Sequence, residues 1–173
     1  MGSEARQRPV WDRLVRLTHW GVAGLVLFNS FNESGELHRM AGYMAVALVL
    51  VRLVHGLLAR GGSTAALPLP GWPLIRAHLA DLMRGKGHAG LGHNPLGQWM
   101  AYLLWTLIIA LGVTGWMARL DAFWGDDWLI DLHQGLANVL LGCVTVHLAG
   151  VVVMSRLQQE NLVRAMLTGR KRG

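Results

Sequence analysis

Cysteine is almost absent from this sequence, and charged residues are scarce. Cys143 is the only cysteine among 173 residues, which excludes an intramolecular disulfide and any zinc or iron–sulfur site built from cysteines. Only 15% of the residues are charged, against about 25% in soluble domains. With 53% hydrophobic residues and a mean hydropathy of +0.35, the composition predicts an all-α membrane protein that forms one domain over residues 1–173.

Four apolar segments have about the length of a membrane-spanning helix, which needs roughly 20 mostly apolar residues. The predicted spans are residues 14–31, 38–58, 96–117 and 132–154. They are separated by a long loop at 59–95 and followed by a tail at 155–173. Within the loop, residues 72–83 have mixed polarity and predict an interfacial helix. Asn94 and Pro95 are typical of a helix N-cap and a first helical position.

The distribution of basic residues predicts the orientation of these spans. The N-terminal segment, the loop at 59–95 and the tail together contain thirteen Lys and Arg, whereas the opposite side has only Arg39 and Arg119. We therefore expect both termini, the loop and the tail to be cytoplasmic. The net charge of +6 does not indicate nucleic-acid binding, because the basic residues flank apolar segments and form no separate domain. The outer side carries six carboxylates: Glu33, Glu36, Asp121, Asp126, Asp127 and Asp131.

The fourth predicted span contains two histidines, His133 and His147, fourteen residues apart. They share a helix face and lie roughly 21 Å apart along the axis. With the predicted orientation, His147 has the depth of His19 in the cytoplasmic half, and His133 has the depth of His38 at the outer surface. Two imidazoles from different helices at one depth can be the axial ligands of a b haem. The sequence therefore predicts two such sites, one above the other.

Small residues and one arginine line the face of the second span that carries His38. Gly42 and Gly56 lie on this face and are predicted to leave room for a flat macrocycle. Arg52 lies fourteen residues after His38, at the depth of His19 and His147. A buried arginine needs an anionic partner, and a haem propionate is one such group. The alternative is that the glycines only permit close packing of helices, as small residues commonly do in membranes.

Several motifs occur together in an order that resembles bacterial cytochrome b561 and the cytochrome b subunits of membrane-bound nickel–iron hydrogenases. These motifs are residues 17–20 (LTHW), 37–42 (LHRMAG), 51–53 (VRL), 92–97 (GHNPLG), His133 with His147, and 160–166 (ENLVRAM). The resemblance implies a four-transmembrane-helix bundle in the bacterial inner membrane, with two stacked b haems and electron exchange with quinone. It also implies that the haem ligands are His19, His38, His133 and His147.

The remaining histidines have other interpretations. His55 lies seventeen residues after His38 and about 100° away from its face. It could replace His19 opposite His147, serve a quinone pocket, or only pack. His78, His88 and His93 are interpreted as solvated or backbone-bonded residues of the loop and helix start.

Three functions are consistent with this pattern. The first is electron transfer between membrane quinone and a redox partner, such as a periplasmic cytochrome or a dehydrogenase or hydrogenase subunit. The second is a quinone oxidoreductase that acts on a small molecule such as superoxide at the outer surface. The third is a histidine-based metal transporter, which is disfavoured because the predicted spans contain no carboxylate apart from interface residues. The sequence leaves open whether the protein is an enzyme and whether it forms an oligomer.

Overall fold

A computed structural model describes residues 8–59, 63–85 and 94–171 of the chain. Almost all of its regular structure is helical, as the composition predicts. The elements are, in order, β1 (Arg8–Pro9), α1 (Arg13–Phe31), α2 (Gly35–Leu58), α3 (Trp72–Met83), α4 (Pro95–Met117), a 3-10 turn (Asp121–Phe123), α5 (Asp127–Leu157), α6 (Leu162–Thr168) and β2 (Arg170–Lys171). Helices therefore cover the four predicted spans, and α3 occupies the segment predicted as an interfacial helix.

Within the described residues, three helices are long and apolar enough to cross a membrane: α2, α4 and α5. The α1 helix is not among them, so a fourth span stays a prediction at this point. The α5 helix begins at Asp127, which is earlier than the predicted start of this span at residue 132. Its first turns include Leu129, which is buried and anchors them to the bundle.

Side chains that accept hydrogen bonds from free backbone amides fix several helix starts. Asp12 Oδ1 accepts from the amide of Val15 at 2.8 Å at the start of α1. Asn94 Oδ1 accepts from the amide of Gly97 at 2.6 Å, and Pro95 follows as the first residue of α4. Proline is favoured there because this position has no intrahelical amide bond to lose. The local sequence thus determines where these helices begin.

The core lies where α2, α4 and α5 meet, and Val22, Leu25 and Val26 of α1 pack against it. Its buried residues are Ala45, Val49, Leu107, Ile108 and Leu140. Small residues permit a close approach of α2 and α4. A Cβ atom added at Gly112 would lie 2.5 Å from Val46 Cγ2. Close helix packing at a glycine, the alternative raised for Gly42 and Gly56, therefore occurs in this bundle at Gly112.

The two ends of the described chain are joined to each other in an arrangement that we call the terminal clasp. The clasp comprises residues 8–11, Arg16, and residues 166–171. Strand β1 pairs with β2 in an antiparallel manner, and the amide of Val10 donates to the carbonyl of Gly169 at 2.8 Å. The guanidinium of Arg16 donates to the carbonyls of Met166 and Leu167 at the end of α6.

Gly169 suits the clasp because its φ of +77° is unfavourable for other residues, and an added Cβ would lie 2.8 Å from the carbonyl oxygen of Trp11. The clasp therefore places residues 8–11 and 169–171 on the same end of the bundle.

Candidate functional site: two histidine pairs

His38 of α2 and His133 of α5 face each other and form the outer pair. Their ring centroids lie 6.1 Å apart, and the ring planes are inclined at 67°. His38 Nδ1 lies 2.5 Å from the carbonyl oxygen of Asn32. Because a carbonyl only accepts hydrogen bonds, Nδ1 carries the proton. The lone pair of His38 is therefore on Nε2, which is free to bind a metal.

His133 is held in the same tautomer by a hydroxyl group of α4. Thr114 Oγ1 lies 2.8 Å from His133 Nδ1 and 3.0 Å from the carbonyl oxygen of Ala110. The hydroxyl has a single proton, which it donates to this carbonyl, so it accepts from His133 Nδ1–H. Hydrogen bonds of this kind orient metal-binding histidines and raise their basicity. Gly115 leaves space for the imidazole ring of His133, since an added Cβ would lie 3.3 Å from His133 Cε1.

A cavity of about 420 Å³ lies beside the outer pair, with both histidines and Gly42 in its wall. A Cβ atom at Gly42 would meet only Asn29 Nδ2, at 3.5 Å, so this face of α2 is not filled by another helix. Asn29 Nδ2 in turn donates to the backbone carbonyl of His38 at 3.1 Å. Apolar residues from four helices complete the wall, including Leu25, Ile108 and Leu140. The cavity thus combines apolar walls with two imidazoles, as a haem site requires.

His19 of α1 and His147 of α5 form the inner pair. Their ring centroids lie 6.4 Å apart, and the planes are inclined at 52°. Trp20 packs against the ring of His19 in an edge-to-face arrangement at 5.1 Å. His19 Nδ1 is buried and has no hydrogen-bond partner among the described residues. The structure therefore brings together both histidine pairs that the predicted depths suggest.

Both pairs have the spacing of two imidazoles that bind one metal ion from opposite sides. A metal–imidazole bond is about 2.0–2.1 Å long, which places the two ring centroids roughly 6 Å apart. The described residues contain no group of three or more His, Cys, Asp or Glu able to hold a metal. Because each pair supplies two ligands from opposite sides, it fits a cofactor that brings the remaining ligands itself, as the macrocycle of haem does.

His55 pairs with Asp12 and is not a member of the inner pair. His55 Nε2 lies 3.5 Å from Asp12 Oδ2, whereas it is His19 that faces His147. The Nδ1 atom of His55 is buried and has no hydrogen-bond partner within the described part of the chain. Of the two functional interpretations of His55, the arrangement favours a quinone pocket over replacement of His19.

Arg52 is buried in α2, with 4% of its surface exposed. Its guanidinium carbon lies 5.5 Å from the ring centroid of Trp105, within the range of a cation–π interaction. The Nη1 atom has no hydrogen-bond partner among residues 8–59, 63–85 and 94–171. A buried cation of this kind needs an anionic partner. Sequence reasoning did not identify Trp105, because its proximity to Arg52 depends on the register of α4 against α2.

Two expectations from the sequence need correction. Gly56 does not offer room for a macrocycle, because the side chain of Leu67 and the guanidinium of Arg52 fill the space where its Cβ would lie. His78 is not solvated: it lies in α3 with 3% of its surface exposed. A residue in a loop is expected to be exposed to solvent, but His78 belongs to α3 and is buried. His88 and His93 lie outside the described residues.

Comparisons with known proteins show which family the chain resembles. The family described as prokaryotic cytochrome b561 matches residues 10–169 of the chain. Cytochrome b562 of Cereibacter sphaeroides is 27% identical over 183 residues, an alignment that covers 95% of this chain and 99% of the relative. No solved structure matches the chain.

Proposed function

Because the chain belongs to the prokaryotic cytochrome b561 family, whose members are electron-transfer membrane cytochromes, we propose that it holds two b haems and transfers electrons between the quinone pool and a redox partner. The observation that carries this proposal is the spacing of the two histidine pairs, at 6.1 and 6.4 Å between ring centroids. A b haem with two imidazole ligands supplies a reversible one-electron iron couple.

The residues of the chain have distinct roles in this proposal. His38 and His133 hold the outer haem, and His19 and His147 hold the inner haem. The carbonyl of Asn32 and the hydroxyl of Thr114 keep the protons of the outer histidines on Nδ1, which would leave both Nε2 lone pairs for the iron. Gly42 would leave space for the outer haem beside α2, and Arg52 would offer a buried positive charge to a propionate of the inner haem.

The terminal clasp supports four membrane spans with both ends of the chain on one side of the membrane, which the distribution of basic residues predicts to be the cytoplasm. Because residues 8–11 and 169–171 are hydrogen-bonded, the chain between them crosses the membrane an even number of times. The α3 helix has 12 residues and is about 18 Å long, too short for a hydrocarbon core of about 30 Å. The α1 helix, with 19 residues and a length of about 28 Å, is then the fourth span beside α2, α4 and α5.

The quinone headgroup is proposed to bind beside His55. The unpaired Nδ1 of His55 can form a hydrogen bond with a quinone oxygen, while Asp12 holds Nε2. Oxidation of a quinol to a quinone releases two electrons and two protons. The electrons reduce the protein, and the Asp12–His55 pair, which is partly exposed, passes the protons to the cytoplasm.

Anaerobic mixing with a short-chain quinol tests this function. The purified protein is expected to show sharp reduced haem b bands after quinol addition, because the quinol donates electrons to it. The measurement is the visible spectrum, with dithionite giving the fully reduced reference. A purified, folded protein without haem bands would contradict the proposal and restore the metal-transporter alternative. A haem-loaded protein that dithionite reduces and quinol does not would contradict the quinone assignment alone.

The acidic outer surface predicts a positively charged redox partner. Three carboxylates lie close to the start of α5: Asp121, Asp126 and Asp127. Asp126 and Asp127 precede His133 of the outer pair by seven and six residues. A negative surface beside a cofactor raises the rate of encounter with a cationic partner, and salt screens this effect.

Neutralising these three residues together to Asn is expected to slow electron exchange with a cationic cytochrome about tenfold or more at low salt. The measurement is the rate constant as a function of ionic strength, and the neutral variant should show a flatter dependence. Asp81→Asn, on the cytoplasmic side, is the control and should leave both quantities unchanged. An unaltered rate in the triple variant, with an intact haem spectrum, would show that the carboxylates do not recruit the partner.

A further inference from the structure

A second cavity, of about 480 Å³, lies at the start of α1, and none of the four paired histidines is in its wall. Its wall consists of Arg13, Arg16, Leu17 and Trp20 from α1 and of Leu167 from α6. The four α1 residues are spaced at i, i+3, i+4 and i+7, so they share one face of the helix. This face lies on the other side of α1 from the buried Val15 and Thr18. The cavity therefore opens toward the outside of the bundle.

The cavity contains two positive charges without a carboxylate in its wall. Arg16 is fixed in place because its guanidinium donates to the last carbonyls of α6. Arg13 is exposed and takes part in none of the ion pairs formed within the described residues. The nearest carboxylate in sequence, Asp12, is directed elsewhere, since it accepts from the amide of Val15 and lies beside His55. The site is therefore complementary to an anion.

An apolar stripe continues from the cavity along the same face of α1. Leu17 and Leu27 have 70% and 61% of their surfaces exposed, and Gly24 between them has no neighbour within 4 Å of an added Cβ. From Leu17 to Leu27 the helix rises about 15 Å, half the thickness of a hydrocarbon core of about 30 Å. Trp20, also partly exposed, is the residue type that favours the boundary between headgroups and acyl chains.

We propose that this cavity binds one anionic diacyl phospholipid of the cytoplasmic leaflet. The phosphate lies between Arg13 and Arg16, the glycerol beside Trp20, and one acyl chain along Leu17, Gly24 and Leu27. Because the wall includes Leu167 and the guanidinium that holds α6, the lipid connects α1 with α6 and reinforces the terminal clasp. The proposal rests on the part of the proposed function that makes α1 a membrane span, and it is independent of the quinone and of the redox partner.

The test uses the full haem-loaded chain in nanodiscs of phosphatidylcholine with an increasing fraction of phosphatidylglycerol. The measurements are the number of phosphatidylglycerol molecules retained in native mass spectrometry and the midpoint of thermal unfolding. The wild type is expected to retain one such lipid and to unfold at a higher temperature when it is present. Arg13→Gln is expected to weaken retention about fivefold, while Arg13→Lys, which keeps the charge, should retain most of it.

Arg76→Gln is the matched control, because Arg76 is an exposed arginine of α3 outside the cavity. It removes the same charge and should leave lipid retention and the unfolding midpoint unchanged. Equal losses in Arg13→Gln and Arg76→Gln would overturn the proposal in favour of general attraction to an anionic surface. Equal retention of phosphatidylcholine, or full competition by free glycerol phosphate, would also overturn it. The haem spectrum should stay the same throughout, and its loss would contradict the proposed function instead.

Discussion

His133→Ala is expected to produce a folded protein that binds about half of the wild-type haem. The substitution removes one of two proposed ligands of the outer haem, and His38 alone would hold that haem less tightly. The side chain of His133 is partly exposed, and α5 keeps its buried contact to the core through Leu140, so the loss of packing is small. The measurements are the haem content per protein and a redox titration. The titration should show one component in the variant, against two in the wild type.

Thr114→Val is the control for this experiment. It removes the hydrogen bond to His133 Nδ1 but leaves the imidazole, so both haems should remain. Only the outer potential should change, because the bond raises the basicity of the ligand. Complete loss of haem from well-folded His133→Ala, or no loss at all, would show that His38 and His133 are not the outer ligands.

His147→Ala is expected to have the converse effect, with loss of the inner haem and retention of the outer one. We also expect quinol-driven reduction to fall by more than tenfold, as is common when a functional hydrogen-bonding or ligand contact is removed. The physical reason is that His55 contacts Asp12 at the start of α1, the helix that carries His19, whereas it lies about 25 Å along α2 from His38 of the outer pair. The measurements are the haem content, the residual redox component and the rate of reduction by quinol.

His55→Ala is the matched control for His147→Ala, since it removes an imidazole from the same end of the bundle. Both haems should remain, because His55 is paired with Asp12 and does not face His147. Reduction by quinol should be slower, while reduction by dithionite should be unaffected. If His55→Ala lost a haem and His19→Ala did not, then His55 would be the inner ligand on this side and the assignment of His19 would be wrong.

The parts of the fold that depend on local sequence could be predicted. Asn94 and Pro95 indicate the start of α4 because their effect needs only the next few residues. The spacing of His133 and His147 places both on one face of α5, because the helical repeat is the same wherever the helix packs. Matching these residues to His38 and His19 requires only the depth of each residue, which follows from the order and direction of the predicted spans.

The parts that depend on packing between elements could not be predicted. The hydroxyl of Thr114 meets His133 only because α4 and α5 pack in one particular register, and nothing in the sequence near Thr114 indicates this partner. Leu67 fills the space over Gly56 although it comes from the loop, where side-chain directions follow no simple period. His78 is buried for the same reason, since the burial of α3 depends on where the loop returns to the bundle.

One helix, α5, contributes a histidine to both pairs, and this has a consequence for biosynthesis. During synthesis, α1 and α2 emerge from the ribosome well before α5, each with one of the paired histidines, His19 or His38, and no partner for it. Translation from the end of α1 at Phe31 to the end of α5 at Leu157 takes on the order of 10 s at about 5–20 residues per second. Neither proposed haem site is complete during this interval, because both need a histidine of α5. With the proposed ligands, the apoprotein is therefore expected to acquire both haems after α5 is in place, and not one at a time as the chain emerges.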